Sequence, residues 1–305
     1  MFETIRYWAE RASQLNSEKS LARWLNRIPL AFFRVLCEIV GTFIYWQNRS
    51  LRFTIIENMD QILGQHAKRL RKKQARLYFV NLVKTLLEIL VLTRRFVALP
   101  GKLNRLFDVQ GEESIANALK AGRGVILYSP HLGNFFFYYW YLSQKYDCLT
   151  VATAQPDIRF LYEIYAQLGC KGMDYDKTPP LQMVKQLKTH LANNGVVMLL
   201  GDFYRDHFPN TKWFGKTTKS PMGAAVLALE QQVPIIPFYG KQLGGFTHQL
   251  VFHAPISIYD QFTKNERLEA TNYLNQTMER MVREAPEQWF YWFSVHERFV
   301  ELKSQ

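Results

Sequence analysis

The hydrophobic pattern of the chain changes about a third of the way along. Up to residue 107, long apolar stretches carry charged side chains at helical spacing. From residue 122 onward, short apolar runs rich in β-branched residues alternate with helical stretches at 157–168, 180–193 and 220–231. The runs that predict strands are GVILYS, CLTVAT, GVVMLLG, VPIIPFYG and HQLVFHA. Continuous apolar strands separated by helices predict an α/β fold with a mixed, mostly parallel sheet flanked by helices.

The same change of pattern divides the chain into a basic helical region at 1–107 and an α/β domain at 108–305. The net charge of +12 supports this division, because the first region has 19 Lys and Arg against 7 Asp and Glu, whereas the second has 19 of each. A basic, aromatic-rich region predicts a docking surface for lipid headgroups, nucleic acid or an acidic carrier protein. Nucleic acid is the weakest of the three, since no zinc-finger, RRM or KH signature is present.

The stretch from Ile28 to Trp46 is nearly long enough to span a bilayer. It contains Arg34 and Glu38 on one helical face, and each would cost about 2.5 to 3.5 kcal/mol at the bilayer centre. This cost favours a helix that lies in the membrane interface, or packs against the domain, over a simple span. A buried amphipathic helix of a soluble protein has the same pattern and stays an alternative.

A second candidate for membrane contact is the basic run KRLRKKQAR at 68–76, which precedes the apolar helical stretch YFVNLVKTLLEILVLTRRF. Six positive charges beside an amphipathic helix predict an anionic-lipid patch, in which each charge contributes about 1 kcal/mol. An ordinary solvated face is the alternative. Trp8, Trp24, Tyr45 and Trp46 favour the membrane, because such rings suit headgroup depth. The six cations are Lys68, Arg69, Arg71, Lys72, Lys73 and Arg76.

Several kinds of site lack support in the sequence. Cys37, Cys148 and Cys170 are scattered and form no CxxC pair, so neither a disulfide framework nor a zinc site is expected. HExxH, nucleophile-elbow, P-loop and GxGxxG motifs do not occur, and we predict no metal and no cofactor. The first residues, MFETIRYWAERASQ, are unlike a secretory signal, which favours the cytoplasmic side.

The candidate chemistry lies at the end of the first predicted strand. Pro130 breaks this strand, and Gly133 and Asn134 permit a tight turn into the aromatic helix FFFYYWYL. His131 therefore lies at a strand-to-helix corner, where chemistry collects in such sheets. An imidazole there is either a general base or a capped loop histidine, and position alone does not separate the two.

The segment GRGVILYSPHLGNF resembles the histidine-containing block of the lysophospholipid acyltransferase superfamily. The whole chain resembles the lipid A biosynthesis (lauroyl/myristoyl) acyltransferase branch, and the further landmarks follow in the expected order: IIENM with NLVKTLLEIL, GVVMLLGDFYRD, KWFGKTTKSPMGAAVLALEQQVPIIPFY and PEQWFYWFSVHERF. The resemblance implies an enzyme at the cytoplasmic face of a bacterial inner membrane. It would move a fatty acyl group from acyl carrier protein or coenzyme A to a hydroxyl of a lipid A-like glycolipid or a lysophospholipid.

The sequence departs from the family pattern at one position. The resemblance implies a carboxylate five residues after the histidine, where this chain has Phe136. Three explanations stay open: Asp202, at the end of a neighbouring strand, orients His131; a backbone carbonyl or water does so less strongly; or the chain is a non-catalytic relative that binds lipid or a partner. If the site is otherwise intact, Phe136→Glu is expected to raise or preserve turnover.

The resemblance also implies roles for polar residues around the histidine. Asp202 would belong to the site, although an aspartate in such a turn is also a common cap. Asn134 and the basic loop at 205–219 would position polar and phosphate groups. Ser220 is expected to cap the helix that follows, with proline in the first turn. The loop residues chosen for substrate binding are Arg205, Lys216, Lys219 and Ser220, and surface lysines are the alternative for the loop cations.

Overall fold

A computed structural model of the chain describes residues 27–64, 68–93, 95, 103–153 and 159–299. Trp8 and Trp24 lie outside the described residues. The helices are α1 (Leu30–Gln47), α2 (Arg49–Leu63), α3 (Lys68–Leu87), α4 (Leu103–Leu106), α5 (Glu113–Leu119), α6 (Phe135–Ser143), α7 (Arg159–Gln167), α8 (Pro180–Ala192), α9 (Gly223–Gln231) and α10 (Arg267–Glu284). A π-helical turn at Glu88–Leu92 follows α3, and 3-10 turns shape the C-terminal segment at 286–299.

The strands of the described residues form one large sheet and one hairpin. They are β1 (Phe107–Gln110), β2 (Val125–Ser129), β3 (Cys148–Ala152), β4 (Lys171–Asp174), β5 (Val196–Leu200), β6 (Asn210–Trp213), β7 (Lys216–Lys219), β8 (Ile235–Gln242) and β9 (His248–Phe252). The sheet has the order β1-β9-β8-β2-β5-β3-β4, and β6 pairs with β7. All pairs in the sheet are parallel except β8 with β9. The predicted mixed, mostly parallel α/β sheet is confirmed.

The central strand β2 shows why the sheet is covered on both faces. Its five residues are all buried, and they alternate between two sides as the pleat requires. Ile126 and Tyr128 pack into the core beneath α8, α9 and α10. Val125 and Leu127 pack with α6 and α7 on the opposite face. The sequence did not predict β1, β4, β6 and β7, which are four residues long and only partly buried.

Helix α1 uses only one narrow face to pack against α3. Phe33, Cys37, Gly41 and Tyr45, one in every turn, are buried. A Cβ at Gly41 would lie 2.5 Å from the Cα of Val80, so glycine permits the close approach of the two helices. By length and composition α1 is able to cross a membrane, and 22% of it is buried. Most of α1 is therefore left uncovered by the residues that the structure describes.

The opposite face of α1 is apolar and exposed. Phe32, Val35, Leu36, Ile39, Phe43 and Trp46 have 39 to 64% of their surface accessible. Side chains separated by three, four and seven residues share one side of a helix, so these six form a continuous stripe. We call this surface the α1 stripe. Of the two rings here that are predicted to lie at headgroup depth, Trp46 is exposed and Tyr45 is buried.

The structure corrects the composition of the predicted lipid patch in the basic run. Arg71 is 1% exposed and donates to Asp60, to Gln74 and to the carbonyl of Gly64. Arg76 donates to Glu38 and Thr42. Arg71 is therefore buried between α3 and α2 and does not belong to a surface patch. Arg76 is about one-third exposed and is paired with α1. The exposed cations of the run are Lys68, Arg69, Lys72 and Lys73.

Candidate active site

The parallel register of β2 and β5 brings two predicted site residues to the same edge of the sheet. Ser129 pairs with Leu200, and each is the last residue of its strand. His131 and Asp202 each follow two residues later. Because the carboxyl ends of parallel strands meet at one edge, the two side chains come into contact although 71 residues separate them.

A close approach of the two strand ends supports this contact. The backbone N–H of Gly201 donates to the carbonyl of Ser129 at 3.0 Å. A Cβ at Gly201 would lie 2.0 Å from the hydroxyl of Tyr128, so a side chain there would displace this buried ring. Glycine is therefore required immediately before Asp202.

The carboxylate of Asp202 accepts hydrogen bonds from two residues. Its Oδ1 lies 2.5 Å from Nδ1 of His131. The backbone N–H of His131 also donates to it, at 2.9 and 3.1 Å to the two oxygens. The indole N–H of Trp289 donates to Oδ2 at 2.7 Å. A buried carboxylate surrounded by donors is held in one orientation, and it holds the imidazole in turn.

The surroundings favour the ionised form of Asp202. Burial alone would raise the pKa of this carboxyl, but the adjacent His131 and the hydrogen bonds from His131 and Trp289 lower the pKa below its usual value. A carboxylate accepts the Nδ1 proton of a neutral imidazole, which leaves the Nε2 lone pair free to take a proton. The pair therefore has the arrangement that a general base needs.

The ring of His131 is reachable from outside the protein. Its side chain is 12% exposed. The ring packs edge-on against Phe135 and Tyr291, with centroids 4.7 and 4.9 Å apart. Nε2 lies 3.5 Å from the hydroxyl of Tyr291. The pair thus combines a buried carboxylate with a partly open imidazole.

A cavity of about 390 Å³ lies next to Tyr291. Arg298 packs over the Tyr291 ring at 3.5 Å and donates to the carbonyl of Asp202 at 2.8 Å. Arg205 packs over Phe203 at 4.4 Å. Two guanidinium groups are the kind of side chain that binds a phosphate, but here Arg205 is paired with Asp176 at 3.2 Å, and the carboxylates of Asp206 and Glu297 line the same cavity. The lining residues are Phe203, Tyr204, Arg205, Asp206, Tyr291, Ser294, Glu297 and Arg298.

The structure changes the predicted role of Asn134 from substrate contact to positioning. The residue is completely buried. Its amide NH₂ donates to Glu88 at 2.8 Å, and its oxygen caps α6 by accepting from the N–H of Phe137. Both polar groups of the side chain are therefore engaged inside the protein, and none faces the cavity.

The basic loop differs from its prediction as well. Lys216 and Lys219 lie on β7 of the hairpin. Neither is among the described residues that line the cavity next to Tyr291. Lys216 packs over Phe299, and Lys219 donates to the carbonyl of Asp206. Arg205 is the loop cation that lines the cavity.

Ser220 does not cap a helix. Helix α9 begins at Gly223, after Met222, and no side chain caps it. The Ser220 hydroxyl is buried and bonded to Thr211 at 2.8 Å and to Asn275 at 3.2 Å. This internal pairing makes Ser220 part of the contact between the hairpin and α10. The predicted serine cap is therefore wrong, whereas the predicted helix is present and begins three residues later, at Gly223.

The surroundings of Phe136 alter the expectation for restoring a carboxylate there. Its ring packs on Phe135 and Tyr165, with centroids 4.5 and 5.4 Å apart. We now expect Phe136→Glu to lower stability by about 1–3 kcal/mol, because the carboxylate would enter an apolar site. Turnover is not expected to rise, since Asp202 already contacts His131. Thermal unfolding and an acyl-transfer assay, with Phe136→Leu as the apolar control, test this; a faster Phe136→Glu enzyme of unchanged stability would contradict it.

Sequence reasoning did not select Trp289, Tyr291 or Arg298 as site residues. All three come from the C-terminal segment, which carries aromatic residues at irregular spacing. The backbone N–H of Phe290 donates to the carbonyl of His131, which places this segment directly against the histidine. The sequence signal that could have identified these residues is the dense aromatic run PEQWFYWFSVHERF, which contains an arginine.

The family model described as bacterial lipid A biosynthesis acyltransferase matches residues 20–300, which is most of the chain. The phosphatidylinositol mannoside acyltransferase of Mycolicibacterium smegmatis is 27% identical over 147 residues, which are 46% of this chain and 47% of that protein. The protein of the same name from Mycobacterium tuberculosis is 29% identical over 146 residues, 45% of each chain. The chain thus matches about half the length of these curated relatives.

Proposed function

The chain belongs to the bacterial lipid A biosynthesis acyltransferase family, and we propose that it is an O-acyltransferase with His131 as its general base. The observation that carries this proposal is the His131–Asp202 pair, a partly exposed imidazole held by a buried carboxylate. Tyr291 packs against this imidazole and also lines the neighbouring cavity. The fold supports the proposal, because both residues of the pair lie at the carboxyl edge of a largely parallel sheet. Asp202 takes the orienting role of the carboxylate that the family pattern places where this chain has Phe136.

The proposed reaction moves one proton through His131. Nε2 takes the proton of the acceptor hydroxyl while its oxygen attacks the thioester carbonyl of the donor, and a carbon–oxygen bond forms. When the tetrahedral intermediate collapses, the carbon–sulfur bond breaks and the imidazolium returns the proton to the leaving thiolate. Asp202 stabilises the transient imidazolium and holds its orientation. The chemistry needs no covalent acyl-enzyme.

The proposed donor is acyl-acyl carrier protein or acyl-CoA, and the proposed acceptor is a lipid A-like glycolipid or a lysophospholipid. Arg205 and Arg298 support an acceptor or donor with a phosphate near the reacting group, because one guanidinium group can donate two parallel hydrogen bonds to the oxygens of a phosphate. The relatives named for phosphatidylinositol mannoside favour a phosphorylated glycolipid as acceptor.

We place the enzyme at the cytoplasmic face of a bacterial inner membrane. The α1 stripe supports attachment to a membrane, because exposed apolar surface of this kind is stable in the bilayer interface. Arg52 packs over Trp46 and Phe53 at 5.5 and 5.3 Å, a combination suited to the headgroup layer. The exposed cations at the start of α3 add attraction to anionic lipids.

The decisive experiment is transfer of a radiolabelled acyl group by membranes that contain the wild type or His131→Ala. We expect His131→Ala to lose about 10²- to 10⁴-fold in rate, the usual contribution of a general base. His190→Ala is the matched control, because this histidine lies on α8 and contacts only the carbonyl of Asp147 among the hydrogen bonds described. Equal rates for wild type and His131→Ala would refute catalysis and favour a lipid-binding relative.

A further inference from the structure

We propose that Glu88, which follows α3, is a positioning residue of the active site. It holds the two segments that flank His131, which are the start of α6 and the C-terminal segment. The inference rests on the proposed function, because it concerns the geometry of the His131–Asp202 pair. Glu88 lies in the π-helical turn that follows α3. Such turns are rare and often occur at functional sites.

The carboxylate of Glu88 is 1% exposed and accepts three hydrogen bonds from side chains. His248 Nε2 donates to Oε1 at 2.8 Å. Asn134 and Gln242 donate to Oε2 at 2.8 and 2.9 Å. The three donors come from the start of α6, the end of β8 and the start of β9. One buried group therefore joins the N-terminal helices to the helix that follows His131.

The first connection runs through Asn134, three residues after His131. Because Glu88 fixes the amide of Asn134, it also fixes the cap of α6 and with it the end of the turn. Gly133 inside this turn has φ of 62°, and a Cβ there would lie 2.3 Å from the hydroxyl of Tyr138. That hydroxyl is bonded to His248, itself a partner of Glu88.

The second connection runs through Gln242. Its backbone N–H donates to the side chain of Gln288 at 2.7 Å, and Gln288 donates back to its carbonyl at 2.9 Å. The carbonyl of Gln288 accepts from the N–H of Gly133 at 3.0 Å. Glu88 therefore holds the C-terminal segment at the point where this segment pairs with the histidine turn.

The residues that follow Gln288 contact the catalytic pair directly. Trp289 donates to Asp202, and the N–H of Phe290 donates to the carbonyl of His131 at 2.9 Å. Both partners of the pair thus depend on segments that Glu88 fixes, although Glu88 touches neither of them in the contacts described. Catalysis is sensitive to such placement, since a shift of about 1 Å can lower the rate about 10²-fold.

The test compares Glu88→Gln with Glu112→Gln in the full-length membrane enzyme. Glu88→Gln keeps the shape but places an NH₂ group against donors, so the network must shift. We expect kcat to fall about 10²-fold while KM for donor and acceptor stays near the wild-type value. Glu112 is the matched control, because it accepts from Lys145, Tyr141 and Tyr146 near the far end of α6. Its variant should keep the wild-type kcat.

A second measurement does not depend on turnover. The proton between Nδ1 of His131 and Asp202 is expected to give a downfield imidazole N–H signal in the proton NMR spectrum, because the two atoms are only 2.5 Å apart. We expect this signal to move or broaden in Glu88→Gln and to stay unchanged in Glu112→Gln. Gln242→Ala should lower kcat in the same way, and the double variant with Glu88→Gln should lose no more than the larger single effect, as expected for one network.

The outcomes separate this inference from the proposed function. If the wild type is active and depends on His131, but Glu88→Gln keeps its kcat and the downfield signal, the positioning role is refuted while the proposed function stands. If His131→Ala is as active as the wild type, the proposed function fails first. If Glu88→Gln does not fold, Gln242→Ala decides: a lower kcat with unchanged KM supports the inference, and an unchanged kcat overturns it.

Discussion

We expect Asp202→Asn to lower kcat for acyl transfer by about 10⁴-fold, the effect of the same change in serine-protease triads. The carboxylate accepts from Nδ1 of His131, from the backbone of His131 and from Trp289. An amide at this position brings its own NH₂ among these donors. The favourable rearrangement has the amide donating to Nδ1, which moves the imidazole proton to Nε2. The base then lacks the lone pair that accepts the hydroxyl proton.

Single-turnover rates for the wild type and Asp202→Asn above pH 6 measure this effect. The pKa of Asp202 is lowered, so the wild-type carboxylate is ionised throughout that range, and its stabilising contribution disappears only when the pH falls through the lowered pKa. Asp108→Asn is a suitable control, since this exposed aspartate on β1 accepts from Gln249 at the far edge of the sheet. A rate for Asp202→Asn within tenfold of the wild type would show that another group orients His131.

The contact between His131 and Asp202 was within reach of sequence analysis for a physical reason. Both residues follow uninterrupted apolar runs, and such runs become adjacent central strands whose ends share one edge. The structure supplies the register, in which Ser129 pairs with Leu200. That register is set by packing on both faces of the sheet, which a single strand does not encode.

The positions of residues that depend on long-range contacts could not be predicted from the sequence. The C-terminal segment has no regular period, and its position depends on Asn58 and Tyr78, which bind the carbonyls of Trp292 and Phe290. Charge counting likewise assigned Arg71 to a lipid patch. Its inward direction becomes evident only when Asp60 of α2 is seen beside it. In both cases the partner lies on another element, so local pattern carries no signal.

The α1 stripe leads to the second large effect, on membrane binding. Phe32, Ile39 and Phe43 are more than half exposed in the described residues. Complete burial of a fully exposed side chain of this size contributes about 1.5–3 kcal/mol, and about three-fifths of each is exposed, so the three together contribute about 3–5 kcal/mol to binding. We expect the triple change of these residues to Ser to weaken partitioning onto vesicles of phosphatidylethanolamine and phosphatidylglycerol by about 10³-fold.

Leu181→Ser provides the control for this experiment, because Leu181 is the most exposed large apolar residue described and lies on α8, away from the stripe. Its loss should leave the vesicle affinity unchanged. Added salt should weaken wild-type binding as well, since the cations Lys68, Arg69, Lys72 and Lys73, at about 1 kcal/mol each, contribute about as much as the apolar face. Equal partitioning of the triple variant and the wild type would show that the stripe faces something other than lipid, and that another surface carries the protein to the membrane.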